Sequence, residues 1–220
     1  NYNGVNATDV SVTNNDNDTA GITVTPTSGL ITTEGAGIAT FTVKLNSQPT
    51  FDVTIALSSS DTTEGNVSPA SLTFTSVNWN TPQTVTVTGV NDDMQDGNIA
   101  YTIITAAAVS ADSGYSGRNA SDVSVTNNDN DAAGITVSVS SGNTTEAGGT
   151  ATFTVVLNTQ PTAEVTISLN SSDITEGTVP SASLTFTTAN WNVPQTVIVT
   201  GVNDFMIDGN IGYTIETEPA

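Results

Sequence analysis

The chain contains no cysteine and no histidine, and among its 220 residues only Lys44 and Arg118 are basic. Without cysteine, a thiol nucleophile, a Cys/His zinc site, a redox centre and a disulfide framework are all excluded. Against the two basic residues stand 22 acidic ones, a formal net charge of −20. A surface of that sign repels nucleic acid and anionic lipid, so neither is an expected partner, and cations are the natural ones. Apolar runs long enough to cross a bilayer are also missing, and membrane insertion is not expected. With no His, no Cys and no isolated nucleophile beside a base, paired carboxylates are the only catalytic chemistry left. The chain reads as a non-enzyme.

What is present is regular alternation and repetition. The run TNNDND recurs at residues 13–18 and 126–131, and NWNxPQ recurs around Trp79 and Trp191, so the period is 113 residues falling to 112. The one-residue deletion lies where SGLITTEG becomes SGNTTEAG, which reads as a loop, where length changes are cheap. Period-2 alternation predicts strands over residues 22–25, 39–45, 53–57, 71–75, 84–88, 99–103 and 122–126. Their expected inward faces are Phe41, Val43 and Leu45; Val53, Ile55 and Leu57; Leu72 and Phe74; Val85 and Val87; Tyr101 and Ile103; and Val123 and Val125. No useful stretch has a 3.6-residue apolar period, so no helix is expected. The fold class is all-β, with tandem immunoglobulin-like β-sandwiches of about a hundred residues each. Each Trp reads as a plug over one end of the core rather than a sugar-stacking platform.

Residues 1–18 match the last strand and exit linker of the first repeat, whereas residues 132–220 stop short of the matching strand. The expected organisation is an orphan final strand and linker over 1–18, a complete sandwich over 19–131, and a second sandwich over 132–220 lacking its last strand. Two readings remain open. In one, the chain is a window on a covalent array of adjacent repeats. In the other, residues 9–13 of one copy fill the vacant strand position of the next, head to tail, as in donor-strand complementation.

Acids recur at the same turns of both repeats. They are Glu34 in TTEG, Asp61 and Glu64 in SSDTTEG, Asp92, Asp93 and Asp96 in GVNDDMQDG, and Asp129 and Asp131 in the exit linker. The second repeat has Glu146, Asp173, Glu176, Asp204 and Asp208, while Phe205 stands where the first has Asp93. Carboxylates gathered at one end of a sandwich repel one another unless a cation or protons neutralise them. Ca²⁺, which accepts six to eight oxygens in irregular geometry, suits such a set better than octahedral Mg²⁺. The alternative is that each acid simply caps its own turn.

The runs TTEG, ATFTVxL, GVNDDMQDGNIAYTI and VSVTNNDND, spanning both repeats, resemble the Calx-beta family and related tandem repeats of bacterial surface proteins and adhesins. That resemblance implies an immunoglobulin-like sandwich binding Ca²⁺ at one end. Carried over by position, the ligands are Glu34, Asp61, Asp92, Asp96, Asp129 and Asp131 in the first repeat, with Asn91 standing where the family often has Asp. In the second they are Glu146, Asp173, Asp204 and Asp208. An incoming strand would add Asp16 and Asp18 to this second set. The implied role is a Ca²⁺-stiffened structural repeat of an extracellular bacterial fibre or cell-surface adhesin stalk. A ligand- or carbohydrate-binding adhesion module is the alternative.

Overall fold

A computed structural model describes all 220 residues and contains strands and no helix. The first repeat supplies β1 (Ile22–Thr25), β2 (Leu30–Thr33), β3 (Ile38–Leu45), β4 (Val53–Ser59), β5 (Gly65–Ser68), β6 (Ser71–Phe74), β7 (Gln83–Gly89), β8 (Ile99–Thr105) and β9 (Val123–Asn128). They form one sheet in the order β1-β3-β7-β5 and a second in the order β2-β9-β8-β4-β6. The pairs are set by alternation: Val43 faces Val24 across one ladder, and Phe41 faces Val85 across the next. Slipping either register by one residue would turn Phe41 and Val43 out to water. Val53 and Ile55 are likewise held opposite Phe74 and Leu72.

All the inward residues expected from alternation are buried, in one cluster that also takes in Leu30, Ala108 and Tyr115. Each fully buried aliphatic or aromatic side chain contributes roughly 1.5–3 kcal/mol relative to exposure. Tyr115 is 1 % exposed, and its hydroxyl donates to the Ser47 carbonyl at 2.6 Å and accepts from the Ser47 amide at 3.0 Å. Trp79 is half-buried against this cluster, and its carbonyl accepts the Leu45 amide at 2.9 Å. Lys44 lies in β3 opposite Thr23, and the Arg118 guanidinium donates to the Gly114 carbonyl.

The second repeat forms β10 (Ile135–Val137), β11 (Thr150–Leu157), β12 (Val165–Ser171), β13 (Gly177–Thr178), β14 (Ser183–Phe186), β15 (Gln195–Gly201) and β16 (Ile215–Thr217). One sheet runs β10-β11-β15-β13, and the other has three strands, β14-β12-β16. Its core is built on Val155, Leu157, Ile167, Leu169, Leu184, Phe186 and Val197, with Trp191 half-buried against it.

The structure departs from the sequence reading at two places. The segment read as a loop around the deletion is strand β2 in the first repeat. Its inward side chains are Leu30 and the polar Thr32, so the alternation that marks a strand is hidden. Strand β5, GNVS, has a single apolar residue and was equally invisible. Residues 1–18, which resemble a strand, carry none, and Val10 and Val12 are each 86 % exposed. A strand sequence without a sheet edge to pair with has nowhere to place its backbone hydrogen bonds except water.

By spatial proximity the chain divides into two compact units. One comprises Asn1–Ile31, Ile38–Thr88 and Ala100–Val125; the other comprises Thr32–Gly37, Gly89–Ile99 and Thr126–Ala220. The second unit therefore contains three acid-bearing segments of the first repeat together with the whole second repeat.

Candidate metal centre

Three turns of the second unit converge on one group of acids. Glu34 follows β2, and its amide donates to the Asn128 carbonyl at 3.2 Å, tying the TTEG turn to the linker after β9. The Glu34 Oε2 in turn accepts the Asn130 amide at 3.0 Å. Asp129 is spanned by two backbone donors: the Asp131 amide reaches Oδ1 at 2.7 Å and the Gly97 amide reaches Oδ2 at 2.8 Å. These bonds bring one carboxylate oxygen each from Glu34, Asp129 and Asp131 within 4.8 Å of one another. Asp92, whose Oδ1 accepts the Met94 amide at 2.7 Å, and Asp96 come within the same distance of each other.

The electrostatics follow from this crowding. Burial, and then the charges of Asp129, Asp92 and Asp131, push the Glu34 carboxyl above the ordinary glutamate value, against the lowering effect of the Asn130 amide. Asp131 is raised by burial and by Asp129, Asp93, Asp92 and Asp96 in turn. Asp96 is raised by burial, Asp92 and Asp129. Asp129 is instead lowered, chiefly by the amides of Asp131 and Gly97. Neither Lys44 nor Arg118 belongs to this unit, so no basic side chain within it balances the acids.

Asp131 Oδ2 is buried and has no hydrogen-bond partner. A buried carboxylate oxygen left unsatisfied is costly, and a cation is the species that would remove that cost. The donors present are all oxygens, the hard set that Ca²⁺ takes and that Zn²⁺ or Cu²⁺ does not favour. The residues therefore fit the ion that the resemblance implies.

The second repeat reproduces part of this arrangement. Glu146, Asp204 and Asp208 bring carboxylate oxygens within 4.8 Å of one another, and Asp204 Oδ1 accepts the Met206 amide at 2.8 Å as Asp92 accepts that of Met94. Glu176 is raised by burial and by Asp208, Asp204, Asp173 and Glu146, which places it in the same neighbourhood. Yet Glu146 is exposed where Glu34 is only 4 % exposed. Phe205, at the position of Asp93, is 90 % exposed with φ 62°, a left-handed backbone uncommon for a bulky residue.

Not all the expected ligands converge. Asp61 is exposed, and its Oδ1 is occupied by the Thr63 amide and hydroxyl at 3.0 and 2.6 Å. Asp173 makes the same turn with Thr175. These hydrogen bonds, the hydroxyl's first, lower both carboxyls. In each SSDxTEG turn the Asp caps the backbone, while the Glu three residues on is drawn in: Glu64 is 6 % exposed and Glu176 is half-buried. Sequence alone shows both acids and gives no sign of which points inward. Asp93 is exposed, and its carbonyl accepts the Gln160 amide at 2.7 Å. Asp16 and Asp18 lie in the exposed segment 1–18, with Asp16 Oδ1 accepting only the Asp18 amide at 2.9 Å.

No family model and no curated protein matches the chain. Among solved structures, calcium binding domain CBD12 of CALX1.1 superposes with a TM-score of 0.40 at 14% identity, covering 83% of this chain and 76% of that one. The apo form of the Calx CBD1 domain gives 0.39 at 15% identity over 50% of this chain and 96% of its own. The periplasmic chaperone SfaE gives 0.40 at 11% identity, covering 89% of this chain and 98% of that one. The chain is all-β by its own strands, and its acid clusters stand on its own geometry.

Proposed function

We propose that the chain is a structural repeat module of an extracellular bacterial fibre or surface stalk, stiffened by Ca²⁺ at the acid-bearing turns and joined head to tail to adjacent repeats or to copies of itself. The observation that carries this reading is the buried, partnerless Asp131 Oδ2 among Glu34, Asp129, Asp92 and Asp96. In the first repeat, Glu34, Asp92, Asp96, Asp129 and Asp131 would hold the ion, and in the second Glu146, Glu176, Asp204 and Asp208, joined by Asp16 and Asp18 of a neighbour. The ion would supply positive charge and fixed coordination, turning mutually repelling turns into one rigid cap. Within the second unit, the 91–97 turn is already tied to the second repeat by the Asp93–Gln160 bond and by Gln95 Oε1, which accepts the Ala133 amide at 2.8 Å. Ca²⁺ beside those bonds would hold the linker at a fixed angle. No catalysis is assigned to the chain.

The test is thermal unfolding in excess chelator and in millimolar Ca²⁺, for the wild type and Asp131→Asn. Binding to the folded state alone adds about 4 kcal/mol at a thousand times the dissociation constant. The wild-type transition should therefore rise by many degrees and that of the variant by much less. Superimposable melting curves of the wild type in the two conditions would end the proposal. The competing reading, an adhesion module, is favoured by the exposed apolar run Phe205, Met206 and Ile207 in the second repeat. It predicts that Phe205→Ser abolishes attachment to immobilised glycans while leaving the Ca²⁺ response unchanged.

A further inference from the structure

The outer face of the sheet β1-β3-β7-β5 is built almost wholly of threonine. Strands β1, β3 and β7 turn nine side chains outward, and seven of them are threonine. The registers set these in rows: Thr25, Thr42 and Thr84 lie opposite one another across three strands, Thr40 lies opposite Thr86, and Thr88 lies opposite the exposed Ile38. Neighbours within a row stand about 4.8 Å apart and successive rows about 6.7 Å apart, so the hydroxyls and methyls form a two-dimensional lattice. Each threonine is β-branched and stiff at χ1, so the lattice is ordered before anything meets it.

Strand propensity alone does not account for this composition. It acts equally on the other sheet of the same sandwich, where β4, β6 and β8 turn outward Ala56, Ser58, Ser71, Ala100 and Ile104 beside three threonines. Charge is distributed as selectively. None of the chain's 22 acids lies in β1, β3, β5 or β7, and Lys44, at one end, is the single charge of the face. The Thr42 hydroxyl donates to the Thr25 carbonyl at 3.3 Å, and that of Thr23 donates to Asn46 Oδ1 at 2.6 Å. The hydroxyls of Thr40, Thr84, Thr86 and Thr88 have no partner in the protein and are left to water. The second sandwich repeats the pattern on β11 and β15, with Thr154 opposite Thr196, Thr150 opposite Thr200, and Thr152 opposite Ile198.

We propose that this face binds ice, its threonine lattice ordering water into the layer that a growing crystal adopts. A protein partner needs an apolar or aromatic centre to dock on, which the face lacks. A sugar needs an aromatic platform, and nucleic acid needs more than one lysine. What remains is a ligand that is itself periodic and uncharged. Water in ice recurs on the scale of this lattice, and each threonine offers it a hydroxyl to bond and a methyl that orders the water around it. Sheet twist, about 20–25° per strand, turns the rows out of plane across many strands, so the patch is centred on the adjacent pair β3 and β7. The inference goes beyond the proposed function and uses none of its Ca²⁺ ligands, all of which lie off this face.

The experiment grows ice slowly from a solution of the full chain in millimolar Ca²⁺ and measures the protein taken up by the crystal. Thr42→Lys/Thr86→Lys/Thr154→Lys/Thr200→Lys plants charges across both lattices. Thr54→Lys/Thr102→Lys/Thr166→Lys/Ser183→Lys adds the same charge to the opposite sheet of each sandwich. The wild type and the second variant should enter the ice, enriched several-fold over a co-dissolved non-binding protein, and should shape single ice crystals into facets. The lattice variant should stay in the liquid, with a circular dichroism spectrum and melting temperature matching those of the second variant. A wild type left in the liquid would overturn the inference whatever the variants do. So would a lattice variant taken up as well as the wild type, or equal loss of uptake by both variants.

Discussion

The two repeats share the same turns, the same tryptophan plugs and almost the same acids, but they bury them differently. In the first, β9 lies between β2 and β8, seventeen buried residues form the core, and Glu34 is 4 % exposed. In the second, that position is a groove, the core holds seven, and Glu146 is exposed. In the first repeat β9 ties the core and the acids together. It supplies two core valines and pairs with β2, and its exit linker carries Asp129 and Asp131 to the TTEG turn. The strand that fills the core of the first sandwich thus also delivers two of its clustered acids.

The comparison can be broken most severely at the strand itself. Val125→Asp places an uncompensated charge in the core of the first sandwich and should cost about 3–5 kcal/mol, whereas Val12→Asp, at the matching exposed position, should leave monomer stability unchanged. Urea denaturation of both variants under monomeric conditions checks the pair, and equal effects would show that segment 8–18 is already packed. A smaller difference is expected at the matching tyrosines. Tyr115→Phe removes a buried hydroxyl that both donates to and accepts from Ser47 and should cost about 1 kcal/mol. Tyr2→Phe, at a residue 88 % exposed, should cost nothing measurable in the same assay.

The least effect is a pH slope in chelator. Glu34, Asp96, Asp131 and Glu176 have folded values above their unfolded ones, so the folded state binds more protons between the two. Their contribution makes stability rise as pH falls through the folded values towards the ordinary carboxylate range. Asp61, Asp112, Asp129 and Asp173 are lowered, and their contribution is lost as pH falls below the ordinary aspartate value. Stability should therefore peak near the ordinary carboxylate values, with the first repeat, which has three of the four raised groups, responding more steeply. Denaturation midpoints that fall steadily from neutral pH downward would contradict this.

The strands whose inward residues are apolar were legible from alternation, from Phe41 and Val43 to Val123 and Val125. Strand β2 was not, because Thr32 points inward and is satisfied by the Asn127 side chain, a partner 95 positions away that no local pattern reveals. The acid set was legible by repetition. Which acids converge was not, since in the SSDTTEG turn Asp61 is engaged by the Thr63 amide and hydroxyl while Glu64 is buried, and the spacing along the chain does not mark the difference. The buried oxygen of Asp131 likewise depends on a fold in space that spacing along the chain does not encode.

The scarcity of basic residues also governs how the chain meets proteases. Enzymes that cut after lysine or arginine find two candidate bonds in 220 residues, and both lie in the first sandwich. One follows Lys44, whose backbone is locked between β1 and β7 within β3, and the other follows Arg118, in a turn held by the Ala108 amide, which donates to the Arg118 carbonyl at 2.8 Å. Cleavage at a strand such as β3 has to wait for local opening. The second repeat and segment 1–18 offer such enzymes no bond at all, folded or unfolded, so even the exposed valines at positions 10 and 12 are carried on a stretch that trypsin-like digestion leaves whole.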